Sequence, residues 1–329
     1  MTRGAEVMEN VVDDQMLERL RKGVKVRLKM VHVLAAAVGV ASFGFMIWVF
    51  FLESPKAGAR IETPLWEKLA QAVLGPAAVA VLAWAFLYWL MVKSGYDRFN
   101  SQFKNKYVLS TIQETSLFQN LSYQPQGGLT YDEMRSAAVV SCGDRRYYES
   151  EDMLSGCYQE LRFRYCDVVV GRVVGAGKNR RVERIFQGQV IHFAAFDEIK
   201  KSADHVQIFE KNLASDLKGW TAKHKIQTEN EAFNRRFQIF ADDEHNAFYI
   251  LTPKLLEQIT QFADQAGAQI AIAFQGSAMF VAIDRMHSIL DASIHVPVLE
   301  QKQLILKDME LLCQAGDILI LEASALNKG

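Results

Sequence analysis

The sequence predicts an α+β protein: an N-terminal transmembrane helical hairpin followed by a cytosolic α+β domain with antiparallel strands. Three observations carry that expectation. Two long apolar runs lie near the N-terminus, at 31–52 and 70–92. Alternating apolar and polar residues flank a glycine-rich turn between 160 and 196. Strand, turn and helix signals follow one another through the last third. Neither apolar run contains Asp, Glu, Lys or Arg, and about 20 such residues, rising about 1.5 Å each, match a hydrocarbon core of about 30 Å.

Charge placement orients the runs. Arg19, Arg21, Lys22, Lys25, Arg27 and Lys29 crowd the segment before the first run. The loop between the runs balances Lys56, Arg60 and Lys68 against Glu53, Glu62 and Glu67. By the positive-inside rule the N-terminus is cytoplasmic, and two spans return the chain to the same side, where Lys93, Arg98, Lys104 and Lys106 follow. The expected address is a membrane, crossed twice, with both ends cytoplasmic. The first run begins too late and is too long for a cleaved secretory signal. Trp48 falls toward the outer end of the first span, and Trp84, Tyr88 and Trp89 toward the inner end of the second, as interfacial aromatic belts require. Gly39, Gly44, Gly75 and Pro76 mark positions where two helices can approach or bend. No ionisable residue sits at midplane, which argues against a channel or transporter.

Four regions are expected: a basic amphipathic segment at 1–30, the two-helix hairpin at 31–92, a juxtamembrane helix and linker at 93–128, and the α+β domain at 129–329. Met16, Leu17, Leu20, Val24 and Leu28 give the first region one apolar face. Tyr96, Phe99, Phe103, Tyr107 and Ile112 lie near helical spacing and predict a helix to about Leu121, broken at residues 123–128.

Leu161, Phe163 and Tyr165 alternate with polar residues, Val168 to Val170 runs apolar, and Ile185, Phe186, Val190, Ile191 and Phe193 resume beyond the turn. This is a β-hairpin signal. Its turn, 171–181, is basic and glycine-rich. A phosphate-binding loop needs G-x-x-x-x-G-K-[ST], but Asn179 follows Lys178 and Arg172 stands where the first glycine belongs. The turn therefore reads as a solvated basic turn, whose functional reading is contact of Lys178, Arg180 and Arg181 with an anion or headgroup.

Residues 233–241 and 247–251 read as strands around the polar turn 242–246. Thr252 as cap and Pro253 at the first helical position start a helix to about Ala266. Residues 269–274 and 279–284 form a second hairpin around Gln275, Gly276 and Ser277. A final helix from about Pro297 to Cys313 leads to an apolar tail at 318–321.

Glu151 and Asp152 with Gly156, Ile185 and Phe186 with Gly188 leading to Phe193, Phe196 and Asp197, and Phe237 to Phe240 followed by Asp243 and Ala247 to Pro253 form a set. On these residues the chain resembles an uncharacterised bacterial two-span membrane-protein family known as a domain of unknown function, the 3137 family. The likeness runs from the first span to roughly Ile294. It implies two N-terminal spans and a cytosolic α+β domain, and brings no activity or catalytic residue with it.

The chemistry is sparsely signalled. Net charge is -1, from 37 basic and 38 acidic residues, so no nucleic-acid partner is expected. Cys142, Cys157, Cys166 and Cys313 include no C-x-x-C pair and read as buried or half-buried thiols; no metal and no cofactor are expected. His245 beside Asp242, Asp243 and Glu244 is the one histidine next to a carboxylate cluster, and these residues are the candidates for acid-base work. The competing reading of the same residues is a turn, rich in Asp for backbone reasons. His192 and His205 read as structural. No G-x-S-x-G, H-E-x-x-H or G-x-G-x-x-G motif occurs. The expectation is a membrane-anchored cytosolic binding or scaffolding module, with the lipid bilayer and a protein at the inner membrane as partners and its oligomeric state open. The alternative is a membrane-tethered enzyme acting on a phosphate-bearing or lipid substrate. That version requires Lys178, Arg180 and Arg181 to meet Asp242, Asp243 or His245.

Overall fold

The computed structural model describes residues 14–52, 65–159, 161–194, 205–211, 213, 222–276, 278–286 and 288–326. The loop charges Glu53, Lys56, Arg60 and Glu62, the family-like Phe196 and Asp197, and Ser277 lie outside the described residues, as does 1–13. The chain falls into two compact units, one of residues 1–106 with 292–301, the other of 107–291 with 302–329.

In the first unit, α1 (Asp14–Leu52) is one helix of 39 residues that joins the basic segment to the first apolar run without a break. Helix α2 (Leu65–Leu87) contains Pro76 and continues through a π-helical turn, Tyr88–Lys93, into α3 (Ser94–Gln102). Both α1 and the α2 path are long and apolar enough to cross a membrane. They touch where side chains are smallest: a Cβ added at Gly39 meets the Ala80 Cβ at 3.0 Å. His32 and Trp84 stand 6.1 Å apart between ring centres. Near its start α1 receives the segment 292–301. The Arg21 guanidinium donates to the Ile294 carbonyl, and the Glu18 carboxylate accepts the Val298 N–H.

The second unit begins after another π-helical turn, Phe103–Tyr107, with α4 (Val108–Glu114). The predicted helix to Leu121 stops seven residues early, because Ser116 takes a left-handed backbone, φ 54°, which ends a helix. Residues Phe118–Gln124 form β1 instead. Next come α5 (Tyr131–Ala137), β2 (Tyr148–Tyr158), β3 (Leu161–Val174) and β4 (Arg181–Ala194). They are followed by β5 (Val206–Glu210), β6 (His224–Ile226), α6 (Glu231–Arg236), β7 (Phe237–Ala241) and α7 (Glu244–Ile250). Helix α8 (Pro253–Ala266), β8 (Gln269–Gln275), β9 (Ala278–Asp284) and α9 (Val298–Leu326) complete the order.

Among the described residues the strands form one sheet of nine in the order β1-β2-β3-β4-β9-β8-β5-β7-β6, with every pairing antiparallel. Its edges are β1, whose register slips between Gln119 and Ser122 beside Asn120 at φ 53°, and the three-residue β6. Both faces are covered. Cys166, Val168, Val170, Val190, Ala271 and Ala282 pack with Met134, Ala137, Val139 and Val140 from α5 and the segment after it. On the opposite face the Tyr165 hydroxyl donates to Asp308 of α9, 2.7 Å away, and Tyr158 donates to Asp317. Gly316 allows α9 to approach: a Cβ there meets the Tyr158 ring at 2.8 Å.

Both predicted hairpins, β3–β4 and β8–β9, are present, and α8 starts as expected, with the Thr252 hydroxyl accepting the Leu255 N–H and Pro253 in its first turn. Three expectations are corrected. Residues 233–236 are helix rather than strand, capped by Asn230. Residues 247–250, expected as strand, lie in the helix Glu244–Ile250: Ala247, Ile250 and Leu251 are buried while Phe248 and Tyr249 are exposed, which is helical spacing. The final helix does not end at Cys313, and the tail Ile318 and Leu319 is buried in it rather than presented.

Candidate functional site

Two clusters of like charge stand out in the second unit, one exposed and basic, the other acidic and only partly buried. The basic one is built at the turn of the β3–β4 hairpin. Gly175 at φ 83° and Gly177 at φ 56° shape the turn, and a Cβ at Gly175 meets the Asn179 carbonyl at 2.4 Å, so only glycine fits there. A second segment docks beside it. Gly143, φ 53°, lies so close to Gly171 that an added Cβ meets its carbonyl at 2.3 Å. The Asp144 N–H donates to that same Gly171 carbonyl, and the Asp144 carboxylate accepts the Val173 N–H at 2.8 Å. The chain then makes a single 3-10 turn, Arg145–Tyr147.

The result is an open groove of about 500 Å³ lined by Asp144, Arg145, Arg146, Tyr147, Val173 and Arg180. Arg145 pairs with Asp132 at 2.9 Å and lies over the Tyr131 ring. Arg172 pairs with Glu183. Arg146, Lys178, Arg180 and Arg181 have no ion pair among the described residues. Sequence reasoning named Lys178, Arg180 and Arg181; it missed Arg145 and Arg146. The Arg-Arg pair beside Gly143 was their only signal, and nothing linked it to a turn more than 30 residues further along the chain.

The acidic cluster lies where β2, β3 and the segment after β9 meet. Carboxylate oxygens of Glu151, Asp152 and Asp291 lie within 4.8 Å of one another. Asp152 is fully buried, holds a left-handed backbone at φ 58° beside the bulge of β2, and accepts the Tyr123 hydroxyl. Across the pairing from Glu151 stands Asp167, also buried, which accepts from the Gln189 amide and the Ser288 hydroxyl. Burial pushes the Asp167 carboxyl up to about 7; Ser288 and Gln189 pull the other way, while the charges of Asp152 and Asp291 raise it further. Burial, then Asp152, also raises the Tyr123 phenol, so it stays a donor at any ordinary pH. The buried pair, Asp152 and Asp167, is tied down by hydroxyls and an amide, which is how buried like charges are tolerated. Sequence reasoning placed Asp152 among the family-like residues and did not connect it with Asp167 or Asp291.

The predicted acid-base turn has a backbone role. The Asp243 carboxylate accepts the His245 N–H and its carbonyl accepts the Ala247 N–H, so Asp243 starts α7. His245 is exposed, its ring edge-on to Tyr249. The sheet register places this turn far from the basic one. Ala241 pairs with Val206, Val206 with Phe274, Phe274 with Met279, and Met279 with Phe193, at the far end of β4 from Arg181. About 40 Å of strand along β4 and about 19 Å across the intervening strands separate the two. Lys178, Arg180 and Arg181 therefore do not meet Asp242, Asp243 or His245, and no composite active site forms from them.

The predicted structural histidines have protein partners. His192 receives Arg164 and lies on Phe280, ring centres 4.4 Å apart; burial, then Arg164, holds its imidazole down to about 4. His205 contacts the Ala137 carbonyl. Cys142 and Cys166 are buried thiols and Cys157 and Cys313 half-buried ones; burial pushes Cys142 up to about 12 and Cys166 to about 11, which suits packing rather than nucleophilic work.

Residues 184–321 match the family model described as a protein of unknown function, DUF3137. No curated protein matches the chain. Among solved structures, the chain is similar to the crystal structure of the mycobacterial trehalose monomycolate transport factor A, TtfA, at 8% identity and a TM-score of 0.32, over 63% of this chain and 93% of that one. A likeness at that score carries no argument about fold or activity.

Proposed function

We propose that this protein is a membrane-anchored binding module of the bacterial inner membrane. In this reading α1 and α2 form a transmembrane hairpin, the basic start of α1 stays cytoplasmic, and the sheet domain binds a protein partner at the cytoplasmic face. One observation carries it: the apolar side chains of both helices point outward. Val33, Leu34, Val40, Phe45 and Trp48 of α1, and Val73, Leu74, Val81, Leu82 and Phe86 of α2, are exposed. A helix pair in water buries such a face, whereas lipid accepts it on all sides. Tethering by two spans confines the domain to a thin layer and raises its effective concentration toward membrane partners.

The test has two parts. Alkaline carbonate washing of membranes is expected to leave the full chain in the pellet, and external protease on intact spheroplasts to leave the sheet domain uncut. Release by carbonate, or cleavage of the domain from outside, overturns the anchor and its orientation. Crosslinking in native membranes, followed by affinity purification and mass spectrometry, is expected to recover a stoichiometric protein joined through residues of the sheet domain. Recovery of the chain alone defeats the binding reading.

A further inference from the structure

We infer that the arginine-lined groove at the end of the β3–β4 hairpin is a binding site for a phosphate group, carried either on a soluble anion or on a lipid headgroup. The inference rests on the reading of the sheet domain as a binding module and names the chemistry of one ligand.

Several features converge. Arg145, Arg146 and Arg180 line one groove although they arise from two separate segments. The segments are held together by the backbone: Asp144 N–H to Gly171, Val173 N–H to Asp144, and the close approach of Gly143 to Gly171. The cations are therefore placed by fixed main chain rather than by a loose loop. Among the described residues Asp144 is the one carboxylate lining the groove, and it is engaged by the Val173 N–H. Arg146 and Arg180 have no ion pair among the described residues, and Lys178 and Arg181 extend the same turn without one. The chain as a whole carries a net charge of -1, so this concentration of positive charge is local.

Guanidinium groups present planar pairs of donors that match two oxygens of a phosphate, and a divalent tetrahedral oxyanion can satisfy more than one of them. A monovalent carboxylate leaves the remaining arginines unpaired. A nucleic-acid track requires cations spaced along a face, but here Arg172 and Glu183 pair off beside the groove and Asp132 occupies Arg145. The lining is polar apart from Val173 and the Tyr147 ring, which gives little purchase for an apolar ligand.

The experiment uses the full chain in phosphatidylcholine nanodiscs, titrated with inorganic pyrophosphate by isothermal calorimetry at fixed ionic strength. Saturable binding is expected in the wild type, weakened about tenfold or more in Arg146→Gln/Arg180→Gln. The double Lys variant is expected to bind more weakly than the wild type and more tightly than the Gln pair, because it keeps charge and loses the paired donors. Asp132→Asn frees Arg145 and is expected to tighten binding. Repeating the titration in discs with phosphatidylglycerol separates the sources. A lower apparent affinity for pyrophosphate in the wild type only assigns the groove to a headgroup; equal affinity assigns it to a soluble anion. Absence of saturable binding, or equal binding by wild type and the Gln pair, overturns the inference. A crosslinked protein partner found alongside such a negative result leaves the binding-module reading standing, so the two failures are distinct.

Discussion

From Gly188 to Ala194, β4 is paired on both sides, with β3 and with β9; from Arg181 to Gln187 it is paired with β3 alone. The inner half carries Val190, Ile191 and Phe193 in the core, and the outer half carries Arg181, Val182 and Arg184 into solvent. Charge follows the same division. At the boundary, Asp167 is a buried carboxyl near the charges of Asp152 and Asp291, whereas at the tip Lys178, Arg180 and Arg181 are exposed cations without an ion pair among the described residues. One hairpin thus contains a position where burial sets the protonation state and another where solvent leaves charge available for a ligand. The difference comes from a neighbouring strand: β9 ends at Asp284, the Arg285 N–H makes one last bond to the Gln187 carbonyl, and among the described residues no second strand pairs with the rest of β4.

Breaking the inner half should have the largest effect. A Cβ at Gly188 would fall 1.9 Å from the Ile283 carbonyl and 2.8 Å from the Arg285 nitrogen. Both are backbone atoms, which cannot swing aside. Gly188→Ala is expected to destabilise the sheet domain by about 3 kcal/mol or more, read as a lowered denaturation midpoint of the full chain in detergent. An unchanged midpoint would contradict the close β4–β9 approach.

At the boundary the expected effect depends on pH. The Asp167 carboxyl is raised from 3.8 to about 7 in the folded chain. Between those values the folded chain holds a proton that the unfolded chain has released, so stability falls as pH rises through this window. The full penalty, on the order of 4 kcal/mol, is present above about pH 7. Asp167→Asn keeps a polar group for Gln189 and Ser288 and removes the ionisation. It is expected to stabilise by about 1–3 kcal/mol at pH 8 and to change little at pH 4. Unfolding curves of both chains across that range check it; parallel pH profiles would mean Asp167 does not titrate there.

The outer half should respond less. Gly175→Ala forces a side chain into φ 83° against the Asn179 carbonyl, but only a peripheral turn must yield. A loss of about 1 kcal/mol is expected in the same unfolding assay. Smallest of all, Arg180→Gln is expected to shift stability by less than about 0.5 kcal/mol, because Arg180 has no ion pair among the described residues. A larger loss would mean that Arg180 supports the fold rather than waiting on a ligand.

The elements visible in the sequence were those whose signal is local. The β3–β4 hairpin has alternation on both arms and glycines in its turn, and α8 has a Thr cap with Pro directly behind it. Short apolar runs misled. Residues 247–251 satisfy a strand by composition and a helix by spacing, and only the burial of Ala247 and Ile250 against the exposure of Phe248 separates the two. The aromatic stripe from Tyr96 to Ile112 does belong to helix, but its extension to Leu121 ignored the left-handed turn at Ser116. The sites were less legible than the fold. Lys178, Arg180 and Arg181 were visible as a run, yet their groove is completed by Arg145 and Arg146. The acidic cluster gathers Tyr123, Asp152, Asp167, Ser288 and Asp291 from across the chain. Periodicity reports which face a residue occupies, and carries no information about which distant residue meets it there.

The sheet's outer margins bear on how copies of this chain coexist. An open margin of nine strands is a template onto which another chain can add a strand of its own. On one side the slip at Asn120 interrupts the even spacing of donors and acceptors along β1. On the other, β6 has only three residues, among them His224 and Lys225. Neither margin presents the long regular ladder that seeds fibres. A domain built on so wide a sheet is kept from zipping to its neighbours by one left-handed asparagine and one strand cut short.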